Sequence, residues 1–204
     1  MHFINPFKGL RPPEEKASSV SIPSTDQLSQ EVIVNHKKNN PWSYLNIFNP
    51  DSENSKSQNE INSQAKKQFE LMKNKSVLMK DNTNSFYIYK ISTKDHSQIG
   101  IIGTAKLSAY DNLHIRGHEE IYLERSQKRF DQINNLNAQI GPIYVIHPDD
   151  NNLSEVVEKQ TASKPKYCFN ALDECKHELW IVSEENIVLE ISEVFNKIFS
   201  GIAV

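Results

Sequence analysis

The sequence predicts an α/β fold, in the mixed α+β sense, with helices flanking a mixed sheet. Three observations lead there. Short runs rich in β-branched and aromatic residues have strand length, longer segments repeat their apolar residues every three to four positions, and the two kinds are interspersed without regular βαβ alternation. At 204 residues the chain is long enough for one substantial core, or two small ones sharing an interface.

The elements follow in order. Pro6, Pro12, Pro13 and Pro23 fix φ and remove backbone donors, so residues 1–40 are expected to begin as an extended, proline-containing arm. Residues 27–34 fit a short strand or a helix equally well. Residues 43–48 read as a strand after the Asn40-Pro41 turn, and residues 49–59 as a polar loop. Ile61, Ala65, Phe69 and Met72 are spaced by 4, 4 and 3, which predicts a helix over residues 60–73. Residues 85–92 and 98–108 read as a β-hairpin joined by the polar turn 93–97.

Residues 113–116 fit one more short strand. Leu123, Phe130, Ile133, Leu136 and Ile140 predict an amphipathic helix over 122–139, stopped by Gly141-Pro142. Residues 143–146 are then expected as a short buried strand paired into the main sheet. A helix over 153–160 would take its cap from Asn151 or Asn152. Residues 167–170 and 178–183 look like paired strands. The last helix, 187–199, would turn Val188, Ile191, Val194 (or Phe195) and Ile198 inward.

Composition bounds the function. Net charge is −3 and the isoelectric point about 6.2, so the chain carries no electrostatic footprint for nucleic acid or anionic membrane. No apolar run approaches the roughly 20 residues that span a bilayer, and the opening residues lack a signal-peptide pattern. Cys168 and Cys175 fit neither a redox pair nor a zinc knuckle, so both are expected to be reduced and structural, as in the cytoplasm.

Familiar motifs fail on inspection. A zinc-protease reading of His118-Glu119 needs a second His at position 122, where Tyr stands. Gly100 and Gly103 lie within a predicted strand and lack the helix that a phosphate loop requires. His147-Pro148-Asp149-Asp150 is acidic and follows a predicted strand, where ligands often bind, but a solvated turn explains it equally well. No metal site is expected. Around 116–129, Arg116, His118, Glu119, Glu120, Arg125, Lys128 and Arg129 gather at a strand-to-helix junction. A carboxylate there suits a general base, and the basic groups suit an anion. From the residues alone, the better explanation of Glu119 and Glu120 is that acidic residues favour the positive N-terminal end of that helix.

His118, Glu119, Arg129, Pro142 and Ile143 also fall where the domain of unknown function 1015 family has a His-Glu-x-Thr segment, a following Arg and an Asn-x-x-Pro-Ile strand entry. Ile121 and Gln139 depart from that pattern. Asn5-Pro6-Phe7 to Arg11-Pro12 resembles the family's opening, and Asn40-Pro41-Trp42-Ser43-Tyr44-Leu45 its Asn-Pro-x-Ser-Phe-Leu. Phe86 to Tyr89 resembles its Tyr-x-Tyr strand, and His177-Glu178-Leu179-Trp180 its His-x-Leu-Trp strand. Ser24-Thr25-Asp26 departs from its Pro-Pro-Tyr-Asp.

The family is in turn distantly similar to ParB-related free-serine kinases. That resemblance implies a ParB/sulfiredoxin-like element around residues 98–146 and a kinase acting on free serine or a similar small hydroxy metabolite. Glu119 would be the base, His118 and Arg129 would bind substrate or phosphate, and magnesium with ATP or ADP would be cofactors. The family's downstream Asp-Gly-His-His-Arg has no counterpart before Val204. Residues 1–204 are therefore expected to be either a single domain or the N-terminal fragment of a longer protein, inactive alone. A non-catalytic nucleotide- or metabolite-binding module and a truncated remnant remain the alternatives.

Overall fold

A computed structural model describes residues 2–23, 25, 28–48, 50, 57–117, 122–198 and 201–203. In chain order the elements are β1 (Ile4–Asn5), β2 (Leu10–Arg11), a 3-10 turn (Glu14–Lys16), α1 (Ala17–Val20), α2 (Gln30–Asn39), α3 (Leu45–Phe48) and α4 (Gln58–Asn74). Then come β3 (Met79–Lys80), β4 (Phe86–Ser92), β5 (Ser97–Ile102), β6 (Thr104–Ala105), α5 (Leu107–Asp111), β7 (Ile115–Gly117) and α6 (Leu123–Leu136). The last are β8 (Val145–Ile146), α7 (Asn151–Thr161), β9 (Tyr167–Asn170), β10 (Lys176–Val182), α8 (Glu185–Lys197) and β11 (Gly201–Ala203). The predicted α/β class with helices flanking sheets is what the chain adopts.

The main sheet is antiparallel, in the order β5-β4-β10-β9. Side chains alternate across its strands, and Phe86, Ile88, Trp180 and Val182 point to one face. There they meet Leu153 and Val156 of α7 and Ile191, Val194 and Phe195 of α8 in one core cluster. The expected 85–92 strand, the 167–170/178–183 pair and the last helix are therefore present. A second core is helical: Val20, Ile47, Ala65, Phe69, Met72, Val77, Leu136 and Ile140 bring together α1, α3, α4 and α6. The helix expected over 60–73 starts earlier because Ser57 and Glu60 form a capping box. Ser57 N–H donates to Glu60 Oε2 at 2.8 Å, and Glu60 N–H donates to Ser57 Oγ at 3.4 Å.

Several expectations need correction. Residues 43–48 form no strand; the alternation of Leu45 and Ile47, both fully buried, arises because α3 is a single helical turn enclosed by its neighbours. Of the two readings left open for residues 27–34, the helix is the one adopted: α2 is capped by Ser29, whose side chain accepts from Val32 N–H. Within the 1–40 segment β1 pairs with β6 and β2 with β3, both antiparallel. The second hairpin strand stops at Ile102, and its expected tail folds into β6 and α5.

The 122–139 helix ends three residues early. Asn137 takes the left-handed conformation at φ 49°, which Asn tolerates better than most side chains. Its periodicity also overstates burial. Leu136 is 3% exposed, but Leu123 and Phe130 are 83% and 58% exposed, because α6 packs its C-terminal half on the helical core. Strand 143–146 shortens to β8 and does not enter the main sheet. It pairs antiparallel with β11, which also pairs in parallel with β7, making a separate three-stranded sheet. Its segment is open to solvent rather than buried: Ile143 and Ile146 are both exposed. The cap of α7 is Asp150, whose carboxylate accepts from Leu153 N–H at 3.0 Å, not Asn151 or Asn152.

A polar network fastens the N-terminal segment to the sheet. Arg11 donates to both oxygens of Asp81, Nε to Oδ2 at 2.9 Å and Nη2 to Oδ1 at 2.7 Å. Its Nη1 donates to Tyr167 Oη at 2.6 Å. Tyr87 Oη donates to Asp81 Oδ2 at 2.7 Å and accepts from Gly9 N–H at 2.7 Å. Gly9 has no room for a side chain, since a Cβ there would stand 2.6 Å from the Tyr87 hydroxyl. Burial lowers the Arg11 pKa, but its bonds to Asp81 and Tyr167 more than offset this and leave it raised.

Candidate functional site

The candidate site is built around α6 and the α3 turn beside it. Of the residues expected there, His118 and Glu119 lie in the link 118–121 between β7 and α6, outside the described residues. The same holds for Glu120 and Ile121, and the side chain of Arg125 is likewise not described. Arg129 is described. The geometry around it is specific.

Arg129 lies in the middle of α6 and is half-buried. Its guanidinium carbon stands 5.4 Å from the centre of the Phe48 ring, a cation–π arrangement. Nη1 donates weakly to Gln132 Oε1 at 3.5 Å, while Gln132 Nε2 donates to the Phe48 carbonyl at 2.9 Å. Gln132 thereby ties α6 to the end of α3 and steadies the guanidinium. Gly141 closes another side. It sits at φ +73°, and a Cβ there would meet Arg129 Nη2 at 2.9 Å. The left-handed backbone favours glycine at 141, and a side chain there would displace the end of Arg129. No carboxylate pairs with Arg129 among the described residues.

Tyr44 completes this cluster, and the sequence reading did not single it out. Its ring stacks on Phe48 at 6.0 Å with a 24° interplanar angle. Its hydroxyl is buried and has no hydrogen-bond partner among the described residues. Burial raises the Tyr44 pKa, with the positive charge of Arg129 opposing the rise. The hydroxyl therefore stays a donor at neutral pH, within electrostatic reach of the guanidinium. Buried polar groups are ordinarily satisfied, and an exception calls for an explanation. The available signal was the Tyr at the Phe position of the Asn-Pro-x-Ser-Phe-Leu pattern, which adds one polar atom to a packed segment.

A second polar cluster serves as contrast. His177 is 8% exposed and bridges Asp173 and Tyr89. Its Nε2 lies 3.2 Å from Asp173 Oδ1 and its Nδ1 2.5 Å from Tyr89 Oη. Asp173 accepts only, so Nε2 carries a proton and donates. The Phe169 and Tyr89 rings both stack on the His177 ring, with centroids 5.7 and 6.0 Å away. Each polar atom here has its partner, which is how a structural histidine of the β9–β10 hairpin is held.

The described residues contain no group of three or more His, Cys, Asp or Glu side chains placed to hold a metal. No helix among the described residues is long and apolar enough to cross a membrane.

No curated protein and no solved structure matches the chain. A family model described as "Protein of unknown function (DUF1015)" matches residues 4–202, almost the whole sequence. Both cores, the Arg11 network and the Arg129 cluster fall within that match, and the chain belongs to this family.

Proposed function

We propose that this chain contributes the substrate side of a phosphoryl-transfer site acting on free serine or a similar small hydroxy metabolite. The observation that carries the reading is Arg129: a half-buried guanidinium seated on Phe48, steadied by Gln132 and Gly141, without a carboxylate partner among the described residues. A positioned guanidinium is suited to clamp an anionic group of a substrate. Phosphoryl transfer asks mainly for positioning, charge stabilisation and a base for the attacking hydroxyl. Glu119 takes that last role in this reading, with His118 beside it on the substrate. Both roles rest on the resemblance to ParB-related serine kinases, as does a ParB-like arrangement of residues 98–146.

In the proposed reaction Glu119 accepts the proton of the substrate hydroxyl as its oxygen attacks the terminal phosphorus of ATP or ADP. The nucleotide leaves with the electrons of the broken P–O bond. Arg129 holds the substrate's anionic group so that the hydroxyl is aimed. Magnesium, when bound, neutralises the phosphates.

Phosphorus NMR of the product of the complete reading frame, given magnesium and ATP or ADP with L-serine, glycerate or ethanolamine, tests this directly. A phosphomonoester on serine or glycerate is expected, and ethanolamine, which has no carboxylate, is expected to react poorly. Binding of these compounds without any phosphoester formation would favour a non-catalytic metabolite-binding module instead.

A further inference from the structure

We propose that the cleft between the 3-10 turn, the link from α7 to β9 and the end of β10 binds a small phosphomonoester, held by Lys164 and Lys166 in competition with Glu14. None of its lining residues belongs to α3 or α6, so the site stands apart from the Arg129 cluster.

The cleft has a volume of about 280 Å³. That lies just below the range of about 300–1,000 Å³ typical of drug-sized ligands, so it suits a smaller molecule. Trp180 forms one wall, and its indole N–H donates to the Ser163 carbonyl at 2.8 Å, which fixes the link beside it. Lys164 precedes Pro165, a position that favours extended backbone, and residues two apart in an extended chain share a side. Lys164 and Lys166 accordingly both line the cleft. Lys166 Nζ is paired with Glu14 Oε2 at 3.2 Å. Glu14 is brought there by the fastening just before it, where Tyr167 Oη donates to the Pro12 carbonyl and accepts from Arg11. β10 also runs three residues beyond its partner, since β9 pairs with Lys176–Leu179 only. The Leu179 carbonyl accepts from Lys166 N–H at 2.7 Å on the β9 side. Strand alternation turns the Ile181 backbone the same way, where β9 has ended, so its N–H gives the cleft a main-chain donor.

The lining selects the ligand. It carries two cations and one carboxylate, and Lys164 has no ion-pair partner among the described residues. The side chains of Lys166 and Glu14 are 43% and 53% exposed, a setting in which an ion pair is worth little, so an incoming anion takes Lys166 from Glu14 at small cost. Two ammonium groups then face one ligand, which matches the near-dianionic charge of a phosphomonoester at neutral pH. A lysine ammonium binds as a point charge with rotatable donors, which suits a tetrahedral phosphate and imposes no planar fork. Pro165 and Trp180 supply apolar surface for the organic part of the ester.

Trp42 and Trp180 are the two tryptophans of the chain, so in Trp42→Phe the indole fluorescence reports on this cleft alone. Titration of that variant at neutral pH with phenyl phosphate should give a saturable change, and inorganic phosphate, which cannot use the apolar wall, should bind more weakly. Calorimetry of the unsubstituted chain gives the same affinities without the Trp42 change. Lys164→Gln and Lys166→Gln should each lower phenyl phosphate affinity roughly 10-fold, the loss of one charged hydrogen bond. Glu14→Gln should raise it roughly 2- to 5-fold, because it removes the internal competitor for Lys166. A Lys166–Glu14 pair that served only to hold the N-terminal segment would make the two substitutions act alike, so their opposite signs identify a ligand site. Lys67→Gln, on the exposed side of α4, should leave affinity unchanged. Binding by calorimetry with no Trp180 response, equal affinity for inorganic phosphate, weaker binding in Glu14→Gln, an equal loss in Lys67→Gln, or no binding at all would each overturn the proposal.

Discussion

Replacing Asp81 with Ala would remove the hub of the network that fastens residues 7–13 to the sheet. Asp81 accepts two bonds from Arg11, at 2.9 and 2.7 Å, and one from Tyr87 at 2.7 Å. The side chains of Arg11 and Asp81 are 23% and 15% exposed, which places the pair between the exposed and buried limits. An exposed pair contributes about 0–1 kcal/mol, while removing one member of a buried pair costs about 3–5 kcal/mol. Three bonds to one carboxylate and partial solvent access put Asp81→Ala at about 2–4 kcal/mol. For a chain of this size that lowers the melting temperature by roughly 5–15 °C. Urea denaturation of Asp81→Ala, Arg11→Met and the double variant measures both the loss and the coupling. A loss below about 0.5 kcal/mol, or a coupling of zero, would show that water screens the network and that the N-terminal segment is held by its strand pairing alone.

Two further expectations follow from the same physics. Burial, assisted by the bond to Asp81, pushes the Tyr87 pKa up to about 12, and burial with the nearby Asp173 carboxylate does the same for Tyr89. Folded values above the unfolded value of about 10 mean stability is full below pH 10 and falls as pH rises through 12, so alkaline difference absorbance at the tyrosinate band should show unfolding in that window; two tyrosines ionising with no loss of fold would contradict it. Net charge −3 predicts no salt-sensitive binding to duplex DNA, and micromolar binding in low-salt anisotropy measurements would refute that.

The legibility of the fold varied with how each segment is buried. The strands of the main sheet and α4, α7 and α8 were readable because each buries one face, which imprints its period on the sequence. α3 was misread because Leu45 and Ile47 are both fully buried, and a turn enclosed on several sides loses helical periodicity. α6 was found but its inward face was overdrawn: Leu123 and Phe130 keep the period yet stay exposed. The three-stranded sheet joins β7, β8 and β11 from distant parts of the chain, and two- or three-residue strands carry too little pattern to announce their partners. Arg129 was legible through the resemblance. Tyr44 and Gly141 were not, because their relation to Arg129 exists in space and has no local spacing.

The central claim is that this chain positions a small hydroxy substrate for phosphoryl transfer with Glu119 as base. Steady-state phosphorylation of L-serine by the product of the complete reading frame, with and without Glu119→Gln, tests it most directly. Glu119→Gln keeps the shape and loses the basicity, so kcat should fall roughly 10²–10⁴-fold with KM little changed. Phosphoserine formation at an unchanged kcat in Glu119→Gln would contradict the account and leave Glu119 as an acidic residue favouring the start of α6.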